Sequence, residues 1–323
     1  QRGLWYIFII FIIIYSFQNY LTSFTKTKFM YLEQFKRDSA SVLKYLPYVL
    51  GFLGYMTFIL IASALMGSDA KENLDRLIAT LGKNGAFFNL LAPFALLLAL
   101  LFLWWRFIHK YSIKKLTTAR PKVDWSRILF SFVLWTGFFL LATGITMMLQ
   151  PEDFEVQFNP ASFLVLFLIA IVLIPIQTSF EEYFFRGYLI QFLAFFSKNR
   201  GIALFLSSVL FGLMHLGNPE VGDMGGIIMV YYIGSGVFMG IMTLMDDGLE
   251  LALGFHAANN LAGALIVTSE SAVFQTDAVL LYKGTSTIWE LLLQVFVIFP
   301  ILLWIFSKQY SWTDWKQKLF KSL

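Results

Sequence analysis

The sequence predicts an all-α protein, a polytopic transmembrane helical bundle of about eight or nine membrane helices. Three observations carry that reading. Of 323 residues, 58% are hydrophobic and only 14% charged, against about 25% charged in a soluble domain. Mean hydropathy is +0.70. The apolar residues gather in windows near the ~20 residues a membrane helix needs, not in the alternating ten-residue segments of a barrel.

In chain order these windows fall near residues 47–66, 86–108, 128–149, 161–178, 201–217, 225–245, 251–268 and 288–307. Residues 4–21 are also apolar, and the first methionine after Gln1 is Met30. Residues 1–29 are therefore read as either one extra N-terminal span or upstream residues, with no function placed there. The segment 109–127 holds Lys110, Lys114, Lys115, Arg120, Lys122 and Arg127 against one acid, Asp124. It is expected to face the cytoplasm by the positive-inside rule. The next loop, 150–160, carries Glu152, Asp153 and Glu155 with no Lys or Arg, as expected outside.

From there to residue 197 the chain stays largely apolar, and about 36 helical residues would reach roughly 54 Å against a core of about 30 Å. Two helices broken at Pro175 are expected, because proline removes a backbone donor and disfavours helix before it. Counting onward from that break puts Lys308, Lys316, Lys318 and Lys321 outside, against the charge rule. A segment such as 225–245 that enters without crossing would return the tail to the cytoplasm. The glycines from Gly225 to Gly240 allow either close helix packing or a thin helix beside a substrate path.

Chemistry is bounded first by what is missing. With no cysteine, disulfides, thiol nucleophiles and Cys-ligated metals are excluded. The net charge of +4 sits in short loops beside apolar windows, so membrane orientation explains it and no nucleic-acid partner is expected.

Three polar insertions interrupt the apolar windows. Glu181, Glu182 and Arg186 lie together, and charges at membrane depth are costly and usually functional. Glu182 and Arg186, four apart, share a helix face and can pair. Glu181, about 100° away, points elsewhere. The second insertion ends in Phe211-Gly212-Leu213-Met214-His215. The third is His256-Ala257-Ala258-Asn259-Asn260, with His256 and Asn260 on one face. A structural ion pair and interhelical hydrogen bonds would account for each alone. The remaining histidine, His109, borders the basic loop and reads as a membrane-interface residue. If one helix runs from Glu181 to Phe196 and the next returns from Gly201 to His215, the two journeys agree within roughly 2 Å. The two side chains could then share a water for attack on a carbonyl.

No His-Glu-x-x-His occurs, Gly234-Ser235-Gly236 is preceded by Ile233, and Gly222-Asp223 is not preceded by the glycine of a Gly-x-Gly-Asp motif. Zincin, rhomboid and presenilin-type motifs are thus not formed. Glu181-Glu182-Tyr183-Phe184-Phe185-Arg186, Phe211 to His215 and His256 to Asn260 instead resemble the CPBP family (CAAX protease and bacteriocin-processing, or Abi), which includes the type II CAAX prenyl endopeptidases. The resemblance spans 126–268. It implies a membrane-embedded protease in which Glu181 and His215 activate water, His256 and Asn260 stabilise the tetrahedral intermediate, and Glu182 and Arg186 support them. Glu181, His215 and His256 would also suit one zinc ion, so a metal-free and a zinc mechanism both stay open.

The expected division is N-terminal membrane helices over 30–125, the catalytic core over 126–268, and a C-terminal membrane helix with a basic tail over 269–323. Expected partners are membrane lipid and a membrane-associated protein or peptide, prenylated or not, and the expected location is a bacterial cytoplasmic membrane. Competing readings are a non-hydrolytic immunity or partner-binding protein of the same fold and a transporter. The latter draws on the intramembrane charges but lacks an internal repeat.

Overall fold

The computed structural model describes residues 30–35, 39–65, 69–285 and 287–322; the apolar stretch 4–21 lies outside them. Each of the eight apolar windows holds a helix. In order they are α1 (Leu46–Leu65), α2 (Ala70–His109), α3 (Trp125–Leu149), α4 (Pro160–Ser197), α5 (Arg200–Leu213), α6 (Ile228–Asp246), α7 (Glu250–Leu265) and α8 (Ile288–Gln309). Among the described residues, six segments are long and apolar enough to cross a membrane: Ser41–Ile59, which overlaps α1, then α2, α3, α4, α8, and α6 extended back to Pro219. α5 is apolar but has only 14 residues, and α7, with 16, carries the His256 and Asn260 insertion.

Polar side chains set where the helices begin. Asp124 accepts from the Ser126 backbone N–H, Asn159 from those of Ala161 and Ser162, and Asn199 from that of Ile202. These N-caps satisfy donors that the first turn leaves unpaired. Within α2, Gly82 adopts φ 70°, a conformation that glycine reaches without strain, and the helix kinks there.

The expected break at Pro175 is absent. α4 runs through it as one 38-residue helix, about 57 Å long at 1.5 Å per residue. Proline removes a single donor, and neighbouring helices can support that loss in a membrane bundle. The irregularity falls later, at Tyr183–Leu189, where one π-helical stretch joins the two α-helical parts.

An unbroken α4 resolves the charge conflict at the tail. Thr118 bridges to Gly248 and Asn199 to Ser322, while Lys318 pairs with Asp247 at 2.7 Å. Residues 117–127, 197–200, 246–250 and 310–322 therefore lie at one end of the bundle, the basic end. α5 and α6 form a hairpin that leaves this end and returns to it, so the tail is restored by α4 crossing once together with that hairpin.

The opposite end is closed by a small sheet that hydrophobic periodicity did not reveal. Its strands are β1 (Phe154–Val156), β2 (Val267–Ser269) and β3 (Leu280–Tyr282), in the order β1-β3-β2. β3 runs antiparallel to β1 and parallel to β2.

Buried ions hold the basic end together. Arg120 and Arg127 both pair with Asp246, and Trp312 Nε1 donates to the same carboxylate at 3.0 Å. Burial opposes the charge of Arg120, but Asp246 and Glu250 hold its guanidinium above its ordinary pKa. His109 is buried here, 3.1 Å from the Tyr188 hydroxyl and stacked on Trp105.

Glycine sets the closest helix approaches. An added Cβ at Gly236 would meet Ser208 backbone at 2.9 Å, and one at Gly240 would meet Leu204 at 2.2 Å. These α6 glycines thus pack α6 on α5. At Gly254 of α7 a Cβ would meet the Ile128 carbonyl oxygen of α3 at 2.1 Å, two residues before His256.

Two outcomes are expected. Gly254→Ala forces α3 from α7 and lowers stability by about 1–3 kcal/mol, whereas Gly144→Ala, inside α3 with open space around it, raises it by up to about 1 kcal/mol; thermal melting of the purified protein compares them. Single cysteines placed at Ser197 and Ser322 react with an impermeant thiol reagent from one side of the membrane, and one at Ser269 from the other.

Candidate active site

The first polar insertion sits where α4 changes from α to π geometry. Glu182 ends the α-helical part and Arg186 lies in the π turn, a type of irregularity frequent at functional sites. Their side chains meet as the spacing predicts, Arg186 Nη1 lying 2.9 Å from Glu182 Oε1, and both are almost wholly buried. Arg186 also reaches the Gly236 carbonyl at 3.4 Å and lies over the Phe211 ring at 4.0 Å. The pair is thereby shared among α4, α5 and α6.

His256 of α7 joins it. Its Nδ1 lies 2.7 Å from Glu182 Oε1, and its Nε2 lies 3.5 Å from Glu181 Oε2. The carboxylate accepts a hydrogen bond from Nδ1–H, so Glu182 orients the ring and Nε2 faces Glu181. Glu181 and Glu182 thus diverge as their 100° separation requires, yet both border one imidazole. Glu181 Oε1 accepts from Gln177 Nε2 at 2.5 Å, whereas Oε2 is buried and makes no hydrogen bond among the described residues.

Asn260, one turn beyond His256, donates from Nδ2 to Gln177 Oε1 at 3.0 Å. It is therefore tied to Glu181 through Gln177. His215 lies just past the end of α5, its Nδ1 2.8 Å from the Phe211 carbonyl. A carbonyl only accepts, so Nδ1 carries the hydrogen and Nε2 keeps a lone pair. The ring stacks on Tyr232 at 4.4 Å.

His215 does not hydrogen-bond to Glu181. The Phe211 ring neighbours both imidazoles, its centroid 4.7 Å from that of His215 and 6.1 Å from that of His256. The three insertions converge: Glu181, Gln177 and Asn260 form one hydrogen-bonded cluster, Arg186, Glu182 and His256 form another beside it, and His215 neighbours them next to the Phe211 ring.

Zinc needs three protein ligands and an open position. Among the described residues no three His, Cys, Asp or Glu side chains form a group that could hold a metal ion. Glu181, His215 and His256 have suitable donor atoms, but their side chains do not come together as such a group. As placed they do not fit the ion.

Sequence reading missed Gln177, Asn259 and Trp135. Gln177 had a usable signal, lying four residues before Glu181 and hence on its helix face. Asn259 adjoins a motif residue. Trp135 lies 124 residues from its partner Asn259, and no local pattern links them.

Fold and site together define a multi-pass membrane protein whose buried carboxylates, imidazoles and amides gather inside the helical bundle. Residues 160–262 match the family model described as "Rce1-like: Type II CAAX prenyl endopeptidase Rce1-like". The resemblance carried by the three motifs therefore holds at that level, to a family whose members are normally proteases. A Bacillus subtilis (strain 168) protein described as "Uncharacterized protein YyaK" is 32% identical over 170 residues, covering 52% of this chain and 57% of the relative. The match thus spans little more than half the length of that curated relative. No solved structure matches.

Removing Arg186 alone strands Glu182 in the interior, so Arg186→Met is expected to cost about 3–5 kcal/mol. Arg186→Met combined with Glu182→Gln removes the stranded charge and recovers part of that loss. Chemical or thermal unfolding of the single and double variants measures both.

Proposed function

We propose that this protein is an intramembrane endopeptidase that hydrolyses a peptide bond of a membrane-associated protein or peptide, with 126–268 as its catalytic core. The observation that carries this reading is the free Oε2 of Glu181, buried and facing His256 Nε2. A carboxylate oxygen with no competing hydrogen bond, beside a fixed imidazole, suits a general base.

In the proposed reaction, water held by Glu181 and by the free Nε2 of His215 attacks the scissile carbonyl and gives its proton to Glu181. The new oxyanion is met by the second amide hydrogen of Asn260 and by Nε2–H of His256 in the form that carries hydrogen on both ring nitrogens. Collapse of the tetrahedral intermediate breaks the C–N bond, and the proton passes from Glu181 to the leaving amine. Glu182 and Arg186 hold His256 for this role.

The family description points to a C-terminal CAAX segment, prenylated or not, as the substrate class. The Bacillus relative favours a bacterial cytoplasmic membrane, with the basic end in the cytoplasm and membrane lipid around the apolar helix faces.

Glu181→Gln and His215→Ala are each expected to lower the cleavage rate about 10²–10⁴-fold with insertion and melting temperature retained. Cleavage of CAAX-ended peptides by protein in detergent or liposomes, with mass analysis of the products, provides the measurement. Unchanged cleavage in Glu181→Gln would remove the general base. Metal analysis with chelation and add-back accompanies it; activity that follows stoichiometric zinc would replace the metal-free scheme.

A further inference from the structure

One series of hydrogen bonds in the polar cluster starts outside the segment matched by the family model. The Trp135 indole N–H donates to Asn259 Oδ1 at 3.2 Å, Asn259 Nδ2 to Asn260 Oδ1 at 3.1 Å, Asn260 Nδ2 to Gln177 Oε1 at 3.0 Å, and Gln177 Nε2 to Glu181 Oε1 at 2.5 Å. Its two ends fix the sense of the whole series. An indole N–H can only donate and an ionised carboxylate can only accept. Each amide between them has two orientations of similar shape. Turning any one of the three would set nitrogen against a donor on one side and oxygen against an acceptor on the other. A single arrangement remains, with every amide oxygen toward Trp135 and every amide nitrogen toward Glu181.

Trp135 is well placed to set this sense. It is 5% exposed and packs against Phe255 at 4.6 Å and Phe299 at 6.4 Å. It stands on α3, the helix brought against α7 by the close approach at Gly254.

We propose that Trp135, Asn259 and Gln177 are positioning residues, forming a one-way hydrogen-bond relay that turns the Asn260 amide nitrogen toward the reacting carbonyl and anchors Glu181 by one oxygen. The proposal rests on the endopeptidase reading above. Asn260 uses one amide hydrogen in the relay, which leaves its second for the oxyanion. An Asn260 turned the other way would present an oxygen there and repel the same charge. Anchoring Glu181 through Oε1 leaves Oε2 to take the proton of water. Hydrogen bonds aligned in series also polarise one another, so loss of the donor at the Trp135 end is felt at Glu181.

The test uses the full chain, Trp135→Phe, which keeps the ring but not the donor, and Gln177→Met, which keeps length but not the amide. Each is expected to lower kcat about tenfold, the effect of leaving a buried hydrogen-bonding group unpaired, with KM within about twofold. The double variant is expected to be no worse than the weaker single one, because both changes break the same relay. Two independent packing defects would instead multiply to about a hundredfold.

A second readout needs no substrate. With 15N-labelled tryptophan, the indole N–H resonance lost in Trp135→Phe is expected to move in Gln177→Met, although three hydrogen bonds separate the two residues. Unchanged kcat in Trp135→Phe, multiplicative losses, or an unmoved indole resonance would each overturn the relay. If Trp135→Phe fails to fold, the kcat-against-KM split of Gln177→Met decides alone. Wild type and Glu181→Gln run in the same assay: absence of wild-type cleavage, or cleavage that survives Glu181→Gln, overturns the endopeptidase reading and the positioning role with it, while the resonance still reports whether the relay exists.

Discussion

The constraint on which the structure turns is the burial of an ion pair where no water can solvate it. Glu182 and Arg186 have essentially no exposed side-chain surface, and taking two such charges from water costs several kcal/mol per ion unless they are paired and hydrogen-bonded. Four elements meet that cost together. α4 supplies the pair on one face, α6 brings the Gly236 carbonyl to the guanidinium, α5 lays the Phe211 ring against it, and α7 places His256 on the carboxylate. The second glutamate benefits from this fixed frame. Glu181 borders the same imidazole but has one oxygen tied to an amide and the other untied.

The helices around this site are held at their ends by different means. At the basic end, Asp246 collects Arg120, Arg127 and Trp312, binding the loop before α3 and the C-terminal tail to the turn between α6 and α7. At the other end, three short strands from distant parts of the chain close the bundle. Small residues set the spacing between these ends. Gly254 brings α3 to α7, and Gly236 and Gly240 bring α6 to α5, as expected where hydrocarbon gives helices little reason to associate beyond packing and hydrogen bonds.

All three motifs lie within residues 160–262, the segment that matches the prenyl endopeptidase family model, and the structure brings their side chains to one region of the bundle. The aromatic residue four before His215 is one example. Phe211 is at once a surface for Arg186 and a neighbour of both imidazoles.

Much of the protein was legible in the sequence. Composition and apolar windows determined a helical membrane bundle, because a chain in hydrocarbon must satisfy its backbone within each helix. The four-residue spacings determined that Glu182 meets Arg186 and that His256 and Asn260 share a face, since helix geometry is local. Tertiary structure alone decided the remainder. Pro175 does not break α4, because the cost of one missing donor depends on neighbours that the sequence does not name. The side on which the tail lies followed from that helix and the α5–α6 hairpin. Trp135 meets Asn259 across 124 residues, and the Phe211 ring meets His256, through helix contacts that periodicity cannot encode. A helix carries its own ruler along the chain, but which face of one helix lies against which face of another is settled only when all of them pack at once.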